Sequence, residues 1–548
     1  MSSGSNAVVP SPSAPIWKNW SGNLVHNPAT DGVKYYFMPA NLTELRSVLA
    51  DATAKGVTVR VTGQRHSQPP LVVDDNRGAA PPTTRSYLVD MSCYNDLGPA
   101  QDQHIVLGPG ENQVTVNTGV REDELDAFLT KNNLMLKTVT AGGFFSLGGM
   151  TAVDVHGGAL DAPIFAETVS AFNLVLADGT VKTIDQQTAA VGGWRPLQFA
   201  RVSLGGLGIV TSVTVDVLQR PYATTLRGGL TRSRITSAQA FATEFQELLN
   251  HARLETFFTP YAAPWPGQDC FWALWWDIDN DPTPKPGNKP PDPYPPTACS
   301  LASESQPTFG APYLEKFLEE FSGALARSAQ FVGNADIGIP SPAVIARAAL
   351  YEIEKQVAAA NKSFSELWLT VAAQVIFMSY YVPLPQDKAK ALEIVWNGLD
   401  AVSEIVKKDG NFHIAAPLEF RFVRGGDTAL SGTYSDDPNA WFVNLDIIGF
   451  VEETQASNYP RELLKFFADV ERAWVKLKGI PHQGKMYGFY DPTKPSNTYS
   501  ETGPFNPNFL AELRTRRGPR LEAFNTYRKS LDPNGLFYND FLRTLLEG

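Results

Sequence analysis

Apolar residues recur at helical spacing in several segments of this chain. In segment 42–55, Leu45, Val48, Leu49 and Ala52 fall on one face, which predicts an amphipathic helix. Segment 122–132 shows the same pattern. The spacing predicts further helices at 311–328, 342–360 and 386–408.

Short runs rich in β-branched and aromatic residues predict strands between these helices. The runs occupy 57–61, 87–91, 114–117, 171–175, 181–184, 211–218, 416–423 and 440–448. The pair 171–175 and 181–184 flanks Asp178-Gly179, a dipeptide typical of a hairpin turn. The chain is therefore predicted to be an α+β protein.

Changes in composition divide the chain into regions. Residues 1–16 are rich in Ser, Pro and Ala, and we expect them to be disordered. Residues 257–276 are densely aromatic. Segment 281–296 is rich in proline and predicts an exposed loop without regular structure. At 548 residues, the chain is long enough that we expect more than one domain.

Charge and the missing motifs narrow the class of protein. A formal net charge of −11 without a basic block argues against a nucleic-acid partner. The N-terminus does not resemble a signal peptide and no apolar run has transmembrane length, so we expect a cytoplasmic protein without a transmembrane segment. The absence of His-Glu-x-x-His and Gly-x-Gly-x-x-Gly motifs gives no reason to expect a metal or a Rossmann-type NAD site.

Three glycine-rich turns are the most informative features of the sequence. In the first, the strand from Val59 runs into Gly63 and continues through Ser67. The second runs from Ser146 to Gly158, and the third from Leu204 to Val210. Glycine lets backbone amides approach an anion without interference from a Cβ atom. The three turns therefore favour a large, phosphate-bearing cofactor.

In this order and spacing, the turns resemble the FAD-binding domain of the vanillyl-alcohol oxidase superfamily. The resemblance implies a two-part FAD-binding domain at 17–221 and 481–548, with an inserted α+β substrate (cap) domain at 222–480. It also implies FAD as the cofactor, bonded covalently through His66 as in many members. The implied cofactor contacts are Thr62, Gly63, Gln64, Arg65, His66, Ser67, Leu147, Gly148, Gly149, Thr151, His156, Gly157, Gly208, Ile209, Val210 and Asn539.

A predicted strand near the end of the cap carries candidate catalytic residues. Glu419 and Arg421 are two positions apart, so they face the same side. One interpretation is an exposed ion pair of little energetic value. The other follows from a Glu-x-Arg strand in class II sterol oxidases and aldonolactone oxidoreductases of this superfamily. That resemblance implies that Glu419 takes the hydroxyl proton and Arg421 stabilises developing negative charge. Asn444 resembles a pocket asparagine of the sterol oxidases.

The resemblance implies an enzyme that oxidises an alcohol CH–OH to a carbonyl by hydride transfer to FAD, with O2 as acceptor. Chain length and the aromatic cap favour a bulky, sterol-like substrate. The alternative is an aldonolactone or alditol oxidase, because the stretches Gly63 to Ser67 and His482 to Lys485 resemble those enzymes, although Gln483 replaces their tryptophan.

The polarity of the pocket distinguishes these two enzymes. Walls formed by Phe257, Trp265 and Trp272 would suit a sterol, whereas carboxylates and amides would suit a polyol. A hypothesis from another class is a binding protein that retains the flavin fold but has no catalytic activity. A purified protein without a yellow flavin spectrum would favour this hypothesis.

Overall fold

The computed structural model describes residues 16–98, 103–221, 226–235, 237–259, 270–278, 324–331, 342–362, 375–451 and 458–548. The proline-rich segment 281–296, most of the N-terminal segment 1–16 and Trp265 lie outside these residues. So does most of the predicted helix 311–328, of which 324–328 is helical. Within the described part, no helix is both long and apolar enough to span a bilayer.

The helices are α1 (Leu42–Lys55), α2 (Glu122–Lys131), α3 (Leu147–Ala152), α4 (Pro196–Ala200), α5 (Ala238–Leu248), α6 (Pro342–Lys362), α7 (Lys388–Asp409), α8 (Arg461–Lys476), α9 (Pro507–Arg517), α10 (Pro519–Leu531) and α11 (Asp540–Leu546).

The strands are β1 (Trp17–Lys18), β2 (Val25–His26), β3 (Tyr36–Phe37), β4 (Thr58–Thr62), β5 (Ser86–Asp90), β6 (Ile105–Leu107), β7 (Gln113–Asn117), β8 (Leu134–Leu136), β9 (Val169–Val175), β10 (Val181–Asp185), β11 (Ile209–Gln219), β12 (Leu226–Ser233), β13 (Arg253–Phe258), β14 (Phe271–Ile278), β15 (Ile376–Leu384), β16 (Leu418–Arg424), β17 (Trp441–Gly449) and β18 (Ile480–Pro481).

The first sheet is small and parallel, in the order β3-β5-β4, and α1 packs against it. The predicted helix 42–55 is confirmed at both ends. The Asn41 side chain accepts a hydrogen bond from the Glu44 amide, and Gly56 ends the helix in the left-handed conformation. This local chemistry explains why the sequence alone located the helix.

The second sheet is antiparallel, in the order β10-β9-β11-β7-β6, with β8 also paired to β11. The predicted hairpin is confirmed as β9 and β10, which pair around a turn in which Gly179 has a φ of 80°. Strand β11 is the long central strand of this sheet, and the third glycine turn leads directly into it.

The third sheet has the order β12-β14-β13-β16-β17-β15-β18. Along β16, Phe420 and Phe422 pack against Phe245 of α5, at ring-centroid distances of 5.6 and 5.9 Å. Because side chains alternate along a strand, the residues between them point to the opposite face. Helix α5 therefore packs on one face of this sheet, and Glu419 and Arg421 lie on the other.

The C-terminal residues return to the first part of the chain. Phe524 of α10 contacts Phe199 of α4 edge-to-face, at 6.1 Å. The Asp532 carboxylate accepts hydrogen bonds from the amides of Leu536 and Phe537. These bonds shape the last turn against β4, where the Val59 amide donates to the Leu536 carbonyl at 2.7 Å. The α+β fold predicted from the sequence is thus confirmed.

Candidate active site

The glycine turns and the face of the third sheet that carries Glu419 and Arg421 line one cavity, with a volume of about 590 Å³. This volume lies within the range typical of ligand sites, roughly 300–1,000 Å³. The predicted site residues that line it are Thr62, Gly63, Gln64, Arg65, His66, Ser67, Gly148, Gly149, Thr151, His156, Gly208, Val210, Glu419 and Arg421.

Several other predicted site residues do not line the cavity but lie behind the residues that do. Leu147 and Ile209 are fully buried in the core. Gly157 packs so closely on the Val139 carbonyl that a Cβ atom would lie 2.1 Å from the oxygen. Asn539 caps α11 through the Leu542 amide and donates to the Pro70 carbonyl at 2.9 Å. These residues support the turns, and their contact with a cofactor stays a prediction.

Asn444 also lies outside the cavity wall, although it is close to the polar cluster. Its side-chain amide donates to the Ser379 hydroxyl at 2.8 Å. Asn444 is fully buried. The structure therefore places it on β17 of the third sheet, directly opposite Arg421, and its catalytic role stays a prediction.

The first and second glycine turns meet face to face. A Cβ atom on Gly63 would lie 2.1 Å from the Ser146 hydroxyl oxygen, so a larger residue would push the two turns apart. The Trp17 indole donates to the Thr62 hydroxyl at 2.9 Å and supports the same turn from behind. The turns form a narrow cradle of backbone, which suits a phosphate-bearing ligand.

His66 lies in a cage of aromatic rings within this cradle. Its ring stacks near Trp20 and Phe144, at centroid distances of 4.9 and 5.0 Å, and meets Phe145 edge-on at 4.8 Å. Burial, with help from the positive charge of Lys485, lowers the His66 pKa to about 3. The imidazole is therefore neutral at physiological pH.

Gln68 joins the first turn to the rest of the cavity wall. Its side-chain amide donates to the Ser21 hydroxyl at 2.7 Å and to the Val375 carbonyl at 3.0 Å, and its carbonyl oxygen accepts from the Phe377 amide at 2.9 Å. Its backbone amide donates to the Gly484 carbonyl at 3.1 Å. One buried side chain thus fixes the turn against β15 and the segment that carries Lys485.

Strand register brings the polar residues of the third sheet together. Glu419 lies opposite Asp446 on β17, and Arg421 lies opposite Asn444. Ser379 on β15 lies opposite Asp446 on its other side. Directly opposed residues in antiparallel strands point to the same face. The sequence interpretation of Glu419 and Arg421 as neighbours on one face is therefore confirmed.

Arg421 is held between two carboxylates. Its Nε atom lies 2.6 Å from Glu255 Oε2, and its terminal nitrogen donates to Glu419 Oε2 at 3.0 Å. Burial is the main cause that raises the Glu419 pKa to about 7. The positive charge of Arg421 lowers this pKa, whereas the negative charges of Asp446 and Glu255 raise it. Glu419 can therefore gain or lose a proton near neutral pH, as a general base requires.

The second turn and the C-terminal segment add nitrogen-bearing groups. His156 and His482 both border Tyr381, at centroid distances of 5.5 and 5.8 Å. Burial lowers the His156 pKa to about 3 and the His482 pKa well below its usual value. Burial also lowers the Lys485 pKa, which Asp446 and Glu419 oppose. His156, His482 and Lys485 all line the cavity.

Sequence reasoning missed two acidic members of this cluster, Glu255 and Asp446. Asp446 follows Asn444 by two positions on the same strand, so alternation was a signal that pointed to it. No comparable signal marked Glu255, because only the pairing of β13 with β16 brings it beside Arg421. Gln483 lies outside the cavity wall, and its backbone N–H donates to the Asp154 carboxylate at 2.8 Å.

Comparisons with known proteins agree with this architecture. A family profile described as FAD binding domain matches residues 33–185, and one described as D-arabinono-1,4-lactone oxidase matches residues 343–545. The L-gulonolactone oxidase of Mus musculus is 26% identical, over 96% of this chain and 97% of its own. The L-gulono-1,4-lactone dehydrogenase of Mycobacterium tuberculosis is 23% identical, over 97% of this chain and 99% of its own.

Solved structures of cholesterol oxidases share the fold. The enzyme from B. sterolicum superposes with a TM-score of 0.66 at 17% identity, covering 98% of this chain and 100% of its own. A solvent-stable cholesterol oxidase gives a TM-score of 0.65 at 16% identity, covering 98% of both chains. At this level of identity, the likeness shows the fold alone.

These findings define the protein as an FAD-dependent oxidoreductase that oxidises a CH–OH group. The matches are consistent with the vanillyl-alcohol oxidase superfamily and support an FAD-binding domain of that type. The residues present fit this cofactor, because the glycine cradle, the neutral His66 and the large cavity are contiguous.

Proposed function

We propose that this enzyme oxidises a hydroxyl group of a sugar lactone, in the manner of an aldonolactone oxidase. The polar face of the third sheet carries the proposal. Glu419, Arg421, Asp446 and Lys485 line the cavity, with Glu255 directly behind Arg421. Such a wall suits a substrate with several hydroxyl groups, since each buried charge needs a hydrogen-bonding partner.

The sterol-like substrate favoured by the sequence is set aside in this proposal. Phe257 and Trp272 do not line the cavity but pack in a separate cluster with Leu350. The names of the relatives and of the family profile refer to sugar lactones. Both observations favour the aldonolactone or alditol oxidase, the alternative that the His482 to Lys485 stretch had suggested.

In the proposed mechanism, Glu419 accepts the proton of the substrate hydroxyl as the carbon loses a hydride. FAD bound in the glycine cradle would supply the acceptor for that hydride. Arg421 stabilises the negative charge that develops on the substrate oxygen, and Glu255 keeps its guanidinium oriented. Lys485 and Asp446 bind hydroxyl groups that do not react.

The experiment is a substrate panel scored by bleaching of the flavin under anaerobic conditions. L-Gulono-1,4-lactone and D-arabinono-1,4-lactone should bleach the flavin faster than an alditol, and cholesterol should leave it oxidised. Fast bleaching by cholesterol with no response to either lactone would restore the sterol proposal. No bleaching by any compound would remove the proposed substrate class.

The same sample tests the electron acceptor, which we propose to be O2. Air admitted to the bleached enzyme should restore the flavin colour as fast as turnover requires. The relatives include both an oxidase and a dehydrogenase. Recovery of colour only with an artificial dye acceptor would assign this enzyme to the dehydrogenases.

We further propose that FAD is bonded covalently through His66. A neutral imidazole keeps a nitrogen lone pair for the bond, and the aromatic cage holds the ring in one orientation. After acid denaturation, flavin fluorescence should remain with the protein band on a gel. His66→Ala should release the flavin on denaturation and reduce it more slowly, because a covalent bond raises the flavin potential.

A histidine outside the cavity supplies the control for this experiment. His104 contacts the Tyr94 carbonyl and does not line the cavity, so His104→Ala should retain fluorescence at the protein band. Complete release of flavin from the unmodified protein would show that the cofactor is held without a covalent bond.

A further inference from the structure

Arg65 holds a backbone conformation that arginine rarely adopts. Its φ is 63°, in the left-handed region that favours glycine. The Trp20 amide donates to the Arg65 carbonyl at 2.8 Å and keeps the turn in this shape. Backbone strain of this kind clusters at active sites and ligand clamps. The strained turn therefore makes Arg65 a candidate ligand contact.

The guanidinium of Arg65 is buried and only weakly compensated. Arg65 is 8% exposed and lines the cavity. One terminal nitrogen donates to the Tyr36 hydroxyl at 3.3 Å, and that hydroxyl donates in turn to the Asp90 carboxylate at 2.6 Å. The Trp17 ring lies 5.8 Å from the guanidinium carbon. Within the described ranges, no carboxylate forms a direct ion pair with Arg65.

A buried cation whose direct polar partner is a single hydroxyl favours a further anion close by. Asp90 reaches Arg65 only through the Tyr36 hydroxyl. On the third sheet, Glu255 and Glu419 bind Arg421 instead. Arg65 instead precedes His66 in the glycine cradle, on the wall assigned to the cofactor. Within FAD, the pyrophosphate is the negatively charged group.

We propose that the Arg65 guanidinium binds the pyrophosphate of FAD. The contact adds a side-chain cation to the backbone amides that the glycine turn provides, and charge-assisted hydrogen bonds to phosphate oxygens are strong. It also explains why an arginine occupies a position whose backbone favours glycine. The role concerns the cofactor and does not depend on which alcohol is oxidised.

The test compares ligands with and without the pyrophosphate in the flavin-free protein carrying His66→Ala, so that binding is reversible. FAD, ADP and riboflavin are titrated by calorimetry into this protein and into versions that also carry Arg65→Gln or Arg65→Gly. Loss of one charge-assisted contact should weaken FAD and ADP binding by roughly 10- to 100-fold. Riboflavin, which lacks phosphate, should bind as before.

Arg65→Gly separates charge from backbone strain, because glycine accepts the left-handed conformation without a penalty. The flavin-free Gly variant should unfold at the same or a higher temperature, yet lose FAD affinity. Arg65→Lys should keep part of the affinity and show a stronger dependence on salt. The exposed Arg85 supplies the control, and Arg85→Gln should leave all three affinities unchanged.

Two results would overturn the proposal. Unchanged FAD and ADP affinities in Arg65→Gln would show that the guanidinium makes no contact with the pyrophosphate. Equal losses for FAD and riboflavin would show that Arg65 only shapes the turn. Both readouts are binding constants, so a failure of the lactone substrate proposal would leave them unaffected.

Discussion

Replacing Glu419 by glutamine should slow flavin reduction by substrate by roughly 10²–10⁴-fold, the usual contribution of a positioned base. Glutamine keeps the size and the hydrogen bonding of the side chain but cannot accept the proton. The FAD content and the fold should be unchanged, because Glu419 lies on the sheet wall and outside the glycine cradle. Rapid mixing with a lactone substrate under anaerobic conditions measures the rate directly.

The pH dependence of the same rate supplies a second measurement. A base must be ionised to accept a proton, and the Glu419 pKa is raised to about 7. In the unmodified enzyme, reduction should therefore be slow below about pH 7, rise through that region and then level off. Glu419→Gln should lack this rise.

Glu393 provides the control for the Glu419 variant, because it is exposed on α7. Glu393→Gln should reduce its flavin at the unmodified rate with the same pH profile. A rate in Glu419→Gln close to that of the unmodified enzyme would exclude Glu419 as the base. Glu419 would then serve only as a structural ion-pair partner of Arg421.

Arg421→Met should have two large effects. Flavin reduction should slow by roughly 10²–10³-fold, because a preorganised charge is lost where negative charge develops. The free energy of unfolding should fall by about 3–5 kcal/mol, because Glu255 and Glu419 lose their shared counter-charge while remaining buried. Arg421→Lys keeps the positive charge but cannot contact both carboxylates in the same way. We therefore expect a reduction rate and a free energy of unfolding between those of the unmodified enzyme and Arg421→Met.

A second arginine on the same strand provides the control for the Arg421 variant. Arg424 lies on the same strand, and its side chain donates to the Asn439 carbonyl at 3.2 Å. Arg424→Met should retain the unmodified rate. Chemical denaturation measures stability, and rapid mixing measures reduction. An Arg421→Met enzyme that is destabilised but reduces its flavin normally would give Arg421 a structural role only.

Local patterns in the sequence were sufficient for many of the individual elements. Helix 42–55 is confirmed because its apolar face, its Asn41 cap and its Gly56 terminus are all local signals. The hairpin around Gly179 and the shared face of Glu419 and Arg421 are confirmed for the same reason. In each case, one turn or one strand carries all the required information.

The glycine turns also pointed to the cofactor from sequence alone. The residues of each turn are contiguous in the chain. A phosphate cradle depends on exposed backbone amides, which glycine provides because it has no Cβ atom. The cradle between Gly63 and Ser146 shows that the turns meet, which their spacing did not establish.

The polarity of the substrate wall depended on the tertiary structure. The aromatic segment suggested an apolar pocket, yet Phe257 and Trp272 pack in their own cluster. Glu255, Glu419 and Asp446 are far apart in the chain and become neighbours only through the pairing of β13, β16 and β17. Sequence determined which faces each strand offers, because alternation is local. Which strands lie side by side depends on long-range pairing, and that pairing decided which charges meet around Arg421.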